Sequence, residues 1–230
     1  MVEGGQKITI APEKTAAETR IRLFLLGTAA SLLLHQRGLL PLHASGIRTP
    51  KGAVLFAGHS GYGKSTLLAT FVARGYGMLT DDLAAISFDE AERPYVHPSY
   101  PHLKLWADSA KKLNKPTESL SRIRPELAKF SVPAELPLAK DPLPLHAVYA
   151  LTPQNEPEVR LEQLHDARKF NLLLDHTWQK MALKRMGRHV AHFKQAVATS
   201  NYAKIVRVYR PDEPFQPHAL ADRLEADFLS

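Results

Sequence analysis

In the stretch Gly58-His59-Ser60-Gly61-Tyr62-Gly63-Lys64-Ser65-Thr66 the first eight residues match G-x-x-x-x-G-K-[ST], a pattern that cradles phosphate groups. Glycines at 58, 61 and 63 let the backbone turn tightly and aim several N–H groups at one anion. Lys64 supplies a mobile positive charge for the β- and γ-phosphates of a nucleoside triphosphate. Ser65 offers its hydroxyl to Mg²⁺. Ser60, Tyr62 and Thr66 complete the loop and the start of the helix behind it, and are assigned to nucleotide binding with the glycines. The context is the one this motif needs: Ala53–Ala57 reads as a buried strand, and Lys64–Arg74 as a helix ended by Gly75. The start of that helix adds its positive dipole end.

Two carboxylates follow. Asp81 and Asp82 lie sixteen and seventeen residues after Ser65, at the end of the next predicted strand, Tyr76–Thr80. If that strand sits beside the loop-bearing strand, its carboxyl end opens on the same phosphates. One carboxylate can then hold Mg²⁺ and the other can take the proton of an attacking hydroxyl. Neighbours on a strand point opposite ways, so both face the site only if the chain turns at this point. His43, in His43-Ala44-Ser45, lies on the strand before the glycine loop. It can reach a γ-phosphate or an acceptor, or serve as a histidine bonded to backbone.

The elements that must position these groups are read from periodicity and breakers. Lys7–Ile10 is a short strand, and Lys14–Gln36 a helix stopped at Gly38. Leu39–Ile47 and Ala53–Ala57 form an antiparallel hairpin about Thr49–Gly52. Strands are predicted at 83–88 and 95–97, and a short helix at 106–114. The proline-rich stretch 115–144 reads as a long loop, a candidate substrate lid. His146–Thr152 and Val159–Leu164 read as a second hairpin. Asp166 caps a long helix over 167–186. A helix over 190–199, a strand over 205–209 and a last helix over 218–228 complete the chain. The class is α/β, a mixed central sheet with flanking helices, in a single domain over 1–230: a phosphate-loop core at about 39–90 and a helical part at about 165–230.

Of 230 residues, 44% are hydrophobic and 23% charged, an ordinary globular balance, and there is no cysteine. Disulfides, thiolate metal sites and a cysteine nucleophile are thereby excluded; a reducing, cytoplasmic setting fits. Residues 1–20 show no signal-peptide core, and the apolar run Leu23–Leu34 is too short to span a bilayer, so no membrane partner is expected. The net charge of +7 is spread along the chain. Such a bias suits an acidic peptide as well as nucleic acid, and nucleic acid is not the expected partner. His189 and His192 have a metal-like i, i+3 spacing but no third ligand, and are read as structural. Trp106 and Trp178 are read as packing residues.

Leu42-His43-Ala44-Ser45-Gly46, the turn, Leu55–Thr66 and Asp81-Asp82 together resemble the C-terminal catalytic domain of HPr kinase/phosphorylase, over about residues 39–90. The resemblance implies a phosphate-loop fold of the type shared with phosphoenolpyruvate carboxykinase, and ATP- and Mg²⁺-dependent phosphorylation of a serine hydroxyl. The regulatory N-terminal domain and the glycine-rich signature after the aspartates are not found. His97–Trp106 stands there instead, which is more similar to the HPr-kinase-like proteins of lasso-peptide clusters. Some of those phosphorylate a serine of a precursor peptide, so a peptide or small protein is the implied acceptor. By this resemblance one aspartate is the base and the other helps the metal. Asp81 is placed on proton transfer and Asp82 with Ser65 on the metal, although the residues do not decide between them. His43 moves toward the γ-phosphate or acceptor. Lys104 and Lys129 become candidates for phosphate or substrate charge, against solvated lysines. Arg185 and Arg188 could meet an anionic peptide or a neighbouring subunit's nucleotide, against an exposed basic face. Relatives assemble as oligomers, so a homo-oligomer is compatible. The competing readings are a nucleotide-dependent switch or ATPase, an HPr-type kinase/phosphorylase, and a small-molecule kinase.

Overall fold

The computed structural model describes residues 1–100, 102–107, 129–133 and 141–230. Its strands are β1 (Val2–Glu3), β2 (Lys7–Ile8), β3 (Leu40–Leu42), β4 (Ala44–Thr49), β5 (Gly52–Ala57), β6 (Gly77–Thr80), β7 (Ala84–Phe88), β8 (Pro94–Val96), β9 (His102–Trp106), β10 (Lys129–Pro133), β11 (Leu143–Gln154), β12 (Arg160–Gln163) and β13 (Lys204–Pro211). Among the described residues, nine of these form one mixed sheet. Its main run is β12-β13-β11-β5-β4-β6, in which β13, β11 and β5 are parallel and β4 is antiparallel to both β5 and β6. The first two residues of β11 pair instead with β8, and through it the sheet continues to β7 and β3. β1 pairs with β2, and β9 with β10, as separate antiparallel ribbons.

Period-2 alternation on β5 sorts the core onto two faces. Val54 and Phe56 join Leu67, Leu68 and Phe71 of the Lys64–Ala73 helix and Leu220, Leu224 and Phe228 of the Pro217–Leu229 helix. Phe56 and Phe71 stack at 5.2 Å, and Phe71 meets Phe228 at 5.7 Å. Ala53, Leu55 and Ala57 face the other way, onto Leu40, Leu42, Leu172, Leu173 and Ala196. Each large side chain fully buried here stabilises the fold by roughly 1.5–3 kcal/mol, so the loop-bearing strand is clamped from both sides.

The hairpin β4–β5 and the strand–loop–helix unit form as the sequence predicts. Several expectations change. The single strand over 39–47 breaks at His43: Leu40–Leu42 pairs with β7, while Ala44–Thr49 joins β5 and β6. β6 lies beside β4, not beside β5, though it runs in the same direction as β5. β11 and β12 do not form a hairpin, because β13 lies between them. Their short connection suits a hairpin, but apolar β13, with Ile205, Val206 and Val208 buried, takes the central place and leaves Arg160- and Glu162-bearing β12 at the edge. The helix over 167–186 ends at Asp175, because Thr177 bridges to Leu42 and Trp178 N–H donates to Pro41 O at 3.0 Å. A short helix, Ala182–Arg185, and then His189–Tyr202 follow. Asp166 sits at φ +54° and makes no side-chain cap.

The N-terminal helix runs Glu18–Phe24, widens to π geometry over Leu25–Ala29, and continues as Ala30–Gln36. The predicted helix over 106–114 and the loop over 115–144 fall mostly outside the described residues, and so do the side chains of Lys104 and Lys129. Among the described residues no helix is long and apolar enough to cross a membrane.

Candidate functional site

The loop between β5 and its helix needs its glycines. Gly58, Gly61 and Gly63 have φ of +149°, +88° and +92°, a region that L side chains enter only with strain. At Gly63 space forbids a side chain as well: a Cβ would lie 2.8 Å from the Phe215 ring. Tyr62 N–H donates to His59 O at 3.2 Å, closing the turn, and the Tyr62 ring lies edge-on to His59. His59, Ser60 and Gly61 are exposed; Thr66 is buried in the first helical turn. A helix leaves its first N–H groups without intrahelical partners, and here that turn begins at Lys64.

Lys64 is only 6% exposed. Its ammonium donates to Gly58 O at 2.8 Å and His59 O at 3.0 Å, and lies 3.1 Å from His43 Nε2. An ammonium has no acceptor, so His43 Nε2 accepts and the ring proton sits on Nδ1. Nδ1 faces Asp82: its carbonyl oxygen at 3.0 Å and its carboxylate Oδ1 at 3.4 Å. A polar chain thus runs from Lys64 through His43 to Asp82.

The second aspartate is placed differently. Asp81 is buried, and its Oδ1 accepts from Ser45 Oγ at 2.7 Å and from Ser65 Oγ at 2.9 Å. Ser45, on β4, is fully buried. It ties the aspartate to the hairpin that carries the glycine loop. β6 reaches the loop although β4 intervenes, because its direction matches that of β5 and its carboxyl end opens on the same side.

The turn that lets both aspartates face one site is present. Asp82 has φ +78°, off the end of β6 and in the left-handed region. Its carbonyl is anchored by Trp178 Nε1–H at 2.9 Å and His43 Nδ1–H. Such strain persists where surrounding contacts over-determine it. Trp178 also lies edge-on to His43, with ring centroids 4.9 Å apart. His176 O accepts the His43 N–H at 2.7 Å. Segment 176–178 therefore crosses the break at His43 like a short extra strand. Sequence reading makes Trp178 a packing residue and passes over His176. Only a helix boundary at Asp175 could have exposed their role, and the helical spacing of the stretch hides it.

Beneath this segment lie two buried imidazoles. His35 Nε2–H donates to Trp178 O at 2.8 Å. Thr177 Oγ1–H donates to Leu173 O, so its oxygen accepts from His192 Nε2–H at 2.9 Å. Burial, with the nearby His35, draws the His192 pKa down to about 4, and burial lowers that of His35 against its bond to Trp178. His176 is likewise drawn to about 4 by burial and by the charges of His59 and Lys64. At neutral pH all three rings are uncharged.

The remaining candidates separate. His192 is buried and bonded to Thr177 while His189 is exposed. Among the described residues no cluster of three or more His, Cys, Asp or Glu could hold a metal. Arg188 donates to Gln36 O at 2.9 Å, tying the His189–Tyr202 helix to the N-terminal one, while Arg185 is exposed. Ser65 and Asp81 together offer hydroxyl and carboxylate oxygens, hard donors of the kind Mg²⁺ takes alongside phosphate oxygens and water.

No protein-family model matches this chain, and no curated protein matches it. Among solved structures it is similar to the Hpr(Ser) kinase/phosphatase from Coxiella burnetii, with 14% identity, 82% of this chain and 90% of that chain covered, and a TM-score of 0.39. A likeness at this level leaves the chemistry to be read from the residues themselves.

Proposed function

We propose that the chain is an ATP- and Mg²⁺-dependent kinase that transfers the γ-phosphoryl group to a serine hydroxyl of a peptide or small protein. The observation that carries this reading is the convergence of Lys64, Ser65, Asp81, His43 and Asp82 at the mouth of one glycine loop. The two aspartates differ in setting, and their distances favour exchanging the roles given to them from sequence. Asp81, buried and bonded to Ser65, serves the metal side. Asp82, beside His43 and 21% exposed, serves the acceptor side. When bound, Mg²⁺ offsets charge on the β- and γ-phosphates. Lys64 exchanges its contacts to Gly58 O and His59 O for phosphate oxygens. Asp82 accepts the serine proton as the new P–O bond forms and the bond to ADP breaks. His43 orients that carboxylate and stays close to the transferred group. Positioning and electrostatics supply most of the rate in such a transfer.

The acceptor we favour is a ribosomally made precursor peptide of the lasso type, on the resemblance of His97–Trp106 and the His43-Ala44-Ser45 strand. Intact-mass spectrometry tests this. The chain is incubated with Mg²⁺ and ATP and with a precursor peptide, the same peptide with its serine changed to alanine, or HPr. A gain of one phosphate by the precursor and not by its alanine form is expected. Phosphate on HPr alone would move the reading to an HPr-type kinase. ATP bound and hydrolysed with every acceptor left unmodified would favour a nucleotide-dependent switch.

A further inference from the structure

The glycine loop is braced from behind by a residue with no place in the chemistry above. Arg210, near the end of β13, is 3% exposed. Its guanidinium donates through Nε and Nη2 to one oxygen, Tyr62 O, at 3.3 and 3.1 Å. Nη1 donates to Pro211 O at 2.6 Å and Asp212 O at 3.2 Å. The Asp212 carboxylate stands 3.8 Å off, and its side chain is 69% exposed. One face of the guanidinium lies 4.4 Å from the Phe215 ring centroid, and Phe215 fills the space where a Gly63 side chain would be. Burial draws this arginine below its usual pKa, so its charge is held there at a cost. An apolar side chain of the same length would fill the volume without that cost.

The two bonds to Tyr62 O show what the charge does. A trans peptide is planar, and its C=O points opposite to the following N–H. A guanidinium that fixes the Tyr62 carbonyl toward the end of β13 fixes the Gly63 N–H pointing away from it. It also polarises that peptide, making the N–H a stronger donor, and adds a fixed positive charge behind the loop. We infer that Arg210 is a positioning residue for nucleotide: it sets and polarises the Gly63 N–H as a donor to the phosphates, while Phe215 keeps the guanidinium in plane. This rests on the nucleotide-binding reading above.

The test uses the full chain with Arg210→Met and Arg210→Lys. Mg-ATP affinity is measured by calorimetry well below the unfolding temperature, and the Gly63 amide is followed by ¹H–¹⁵N NMR without nucleotide. Loss of a charge-assisted bond predicts affinity about tenfold to a hundredfold weaker in Arg210→Met, with Arg210→Lys in between. The Gly63 amide should shift and lose order in the same ranking. A residue that only fills a corner would lower the urea midpoint but leave the affinity of the folded protein alone. Folded Arg210→Met that binds Mg-ATP within about twofold of wild type, with an unmoved Gly63 amide, overturns the inference. If Arg210→Met does not fold, Arg210→Lys is held to the same two criteria. Wild type without affinity for Mg-ATP would refute the proposed function instead, and the Gly63 amide alone would then decide whether Arg210 sets that N–H.

Discussion

Acid should unfold this protein through the histidines beneath segment 176–178, and His192 sets the scale. It is 3% exposed, donates to Thr177 Oγ1, and lies 6.3 Å ring to ring from His35. Its pKa falls from 6.5 to about 4 on folding. A histidine with a depressed folded pKa contributes stability in full above its unfolded pKa, and loses it as pH falls through the folded one. The window here is pH 6.5 down to about 4. The shift corresponds to about 3 kcal/mol, and near the middle of the window to about 1.2 kcal/mol per pH unit. The assay is urea unfolding at intervals from pH 7.5 to 4.5, for wild type and His192→Gln. The glutamine amide can still donate toward Thr177, and a loss of about 1–2 kcal/mol is expected at pH 7. Below pH 6.5 the variant curve should be flatter by close to one proton's slope, so the two curves converge near pH 5. His176 titrates in both proteins and cancels in the difference, and a companion His35→Gln pair takes out the coupling of His35 to His192. Equal acid-side slopes would refute the reasoning, because they would mean that His192 takes up its proton as readily folded as unfolded.

Further outcomes follow from the site, one for each of five variants. Lys64→Met should weaken Mg-ATP binding by about a hundredfold or more in a nucleotide titration, since it removes the charged donor at the loop. Gly63→Ala should abolish that binding while the protein stays folded by circular dichroism, because φ is +92° and the new methyl would strike Phe215. Asp82→Asn should cut phosphoryl transfer by about 10²-fold or more with ATP affinity nearly unchanged, whereas Asp81→Asn should raise the Mg²⁺ concentration needed for half-maximal transfer. Trp178→Phe keeps an aromatic ring, smaller than the indole, and deletes the N–H to Asp82 O. It should slow transfer about tenfold without altering the dissociation constant of Mg-ATP, read by single-turnover kinetics beside equilibrium binding.

The glycine-loop side of this site is legible in the sequence because it is local. Gly58 to Thr66 lie on one strand–loop–helix unit, and Asp81 follows one strand later, so motif spacing and breakers suffice to place them. The hairpin β4–β5 is legible from Thr49–Gly52 and the apolar runs beside it. What is not legible depends on partners far along the chain. The break at His43 cannot be seen in the run Leu39–Ile47, because it arises from β3 pairing with β7 and β4 with β5. The end of the helix at Asp175 is hidden because Thr177 and Trp178 have helical spacing, and backbone pairing with Pro41 and Leu42 overrides it. Arg210 carries no motif: one arginine at the end of a strand reads as a surface charge, and its cover comes from distant parts of the chain, Phe215 and the loop at Tyr62 among them.

That division has a functional consequence. Lys64, Ser65 and Asp81 are held by hydrogen bonds to the hairpin and the loop themselves, Ser45 to Asp81 among them. His43 and Asp82 are held by a third segment: His176 O takes the His43 N–H, and Trp178 Nε1–H takes the Asp82 carbonyl. Under that segment, His35 and His192 bond to Trp178 O and Thr177 Oγ1. The site is thus built in two parts with separate supports. Perturbing the support under 176–178 should act first on His43 and Asp82, and should reach the glycine loop only through the His43–Lys64 and His176–His59 contacts. Protonation leaves both Nε2–H donors in place, so acid acts on this support by forcing charge onto buried rings, His192 as pH falls toward about 4 and His35 below its ordinary range. Mg-ATP binding should therefore persist to lower pH than phosphoryl transfer does. His192→Gln should bring the two profiles together, because its amide carries no charge to gain.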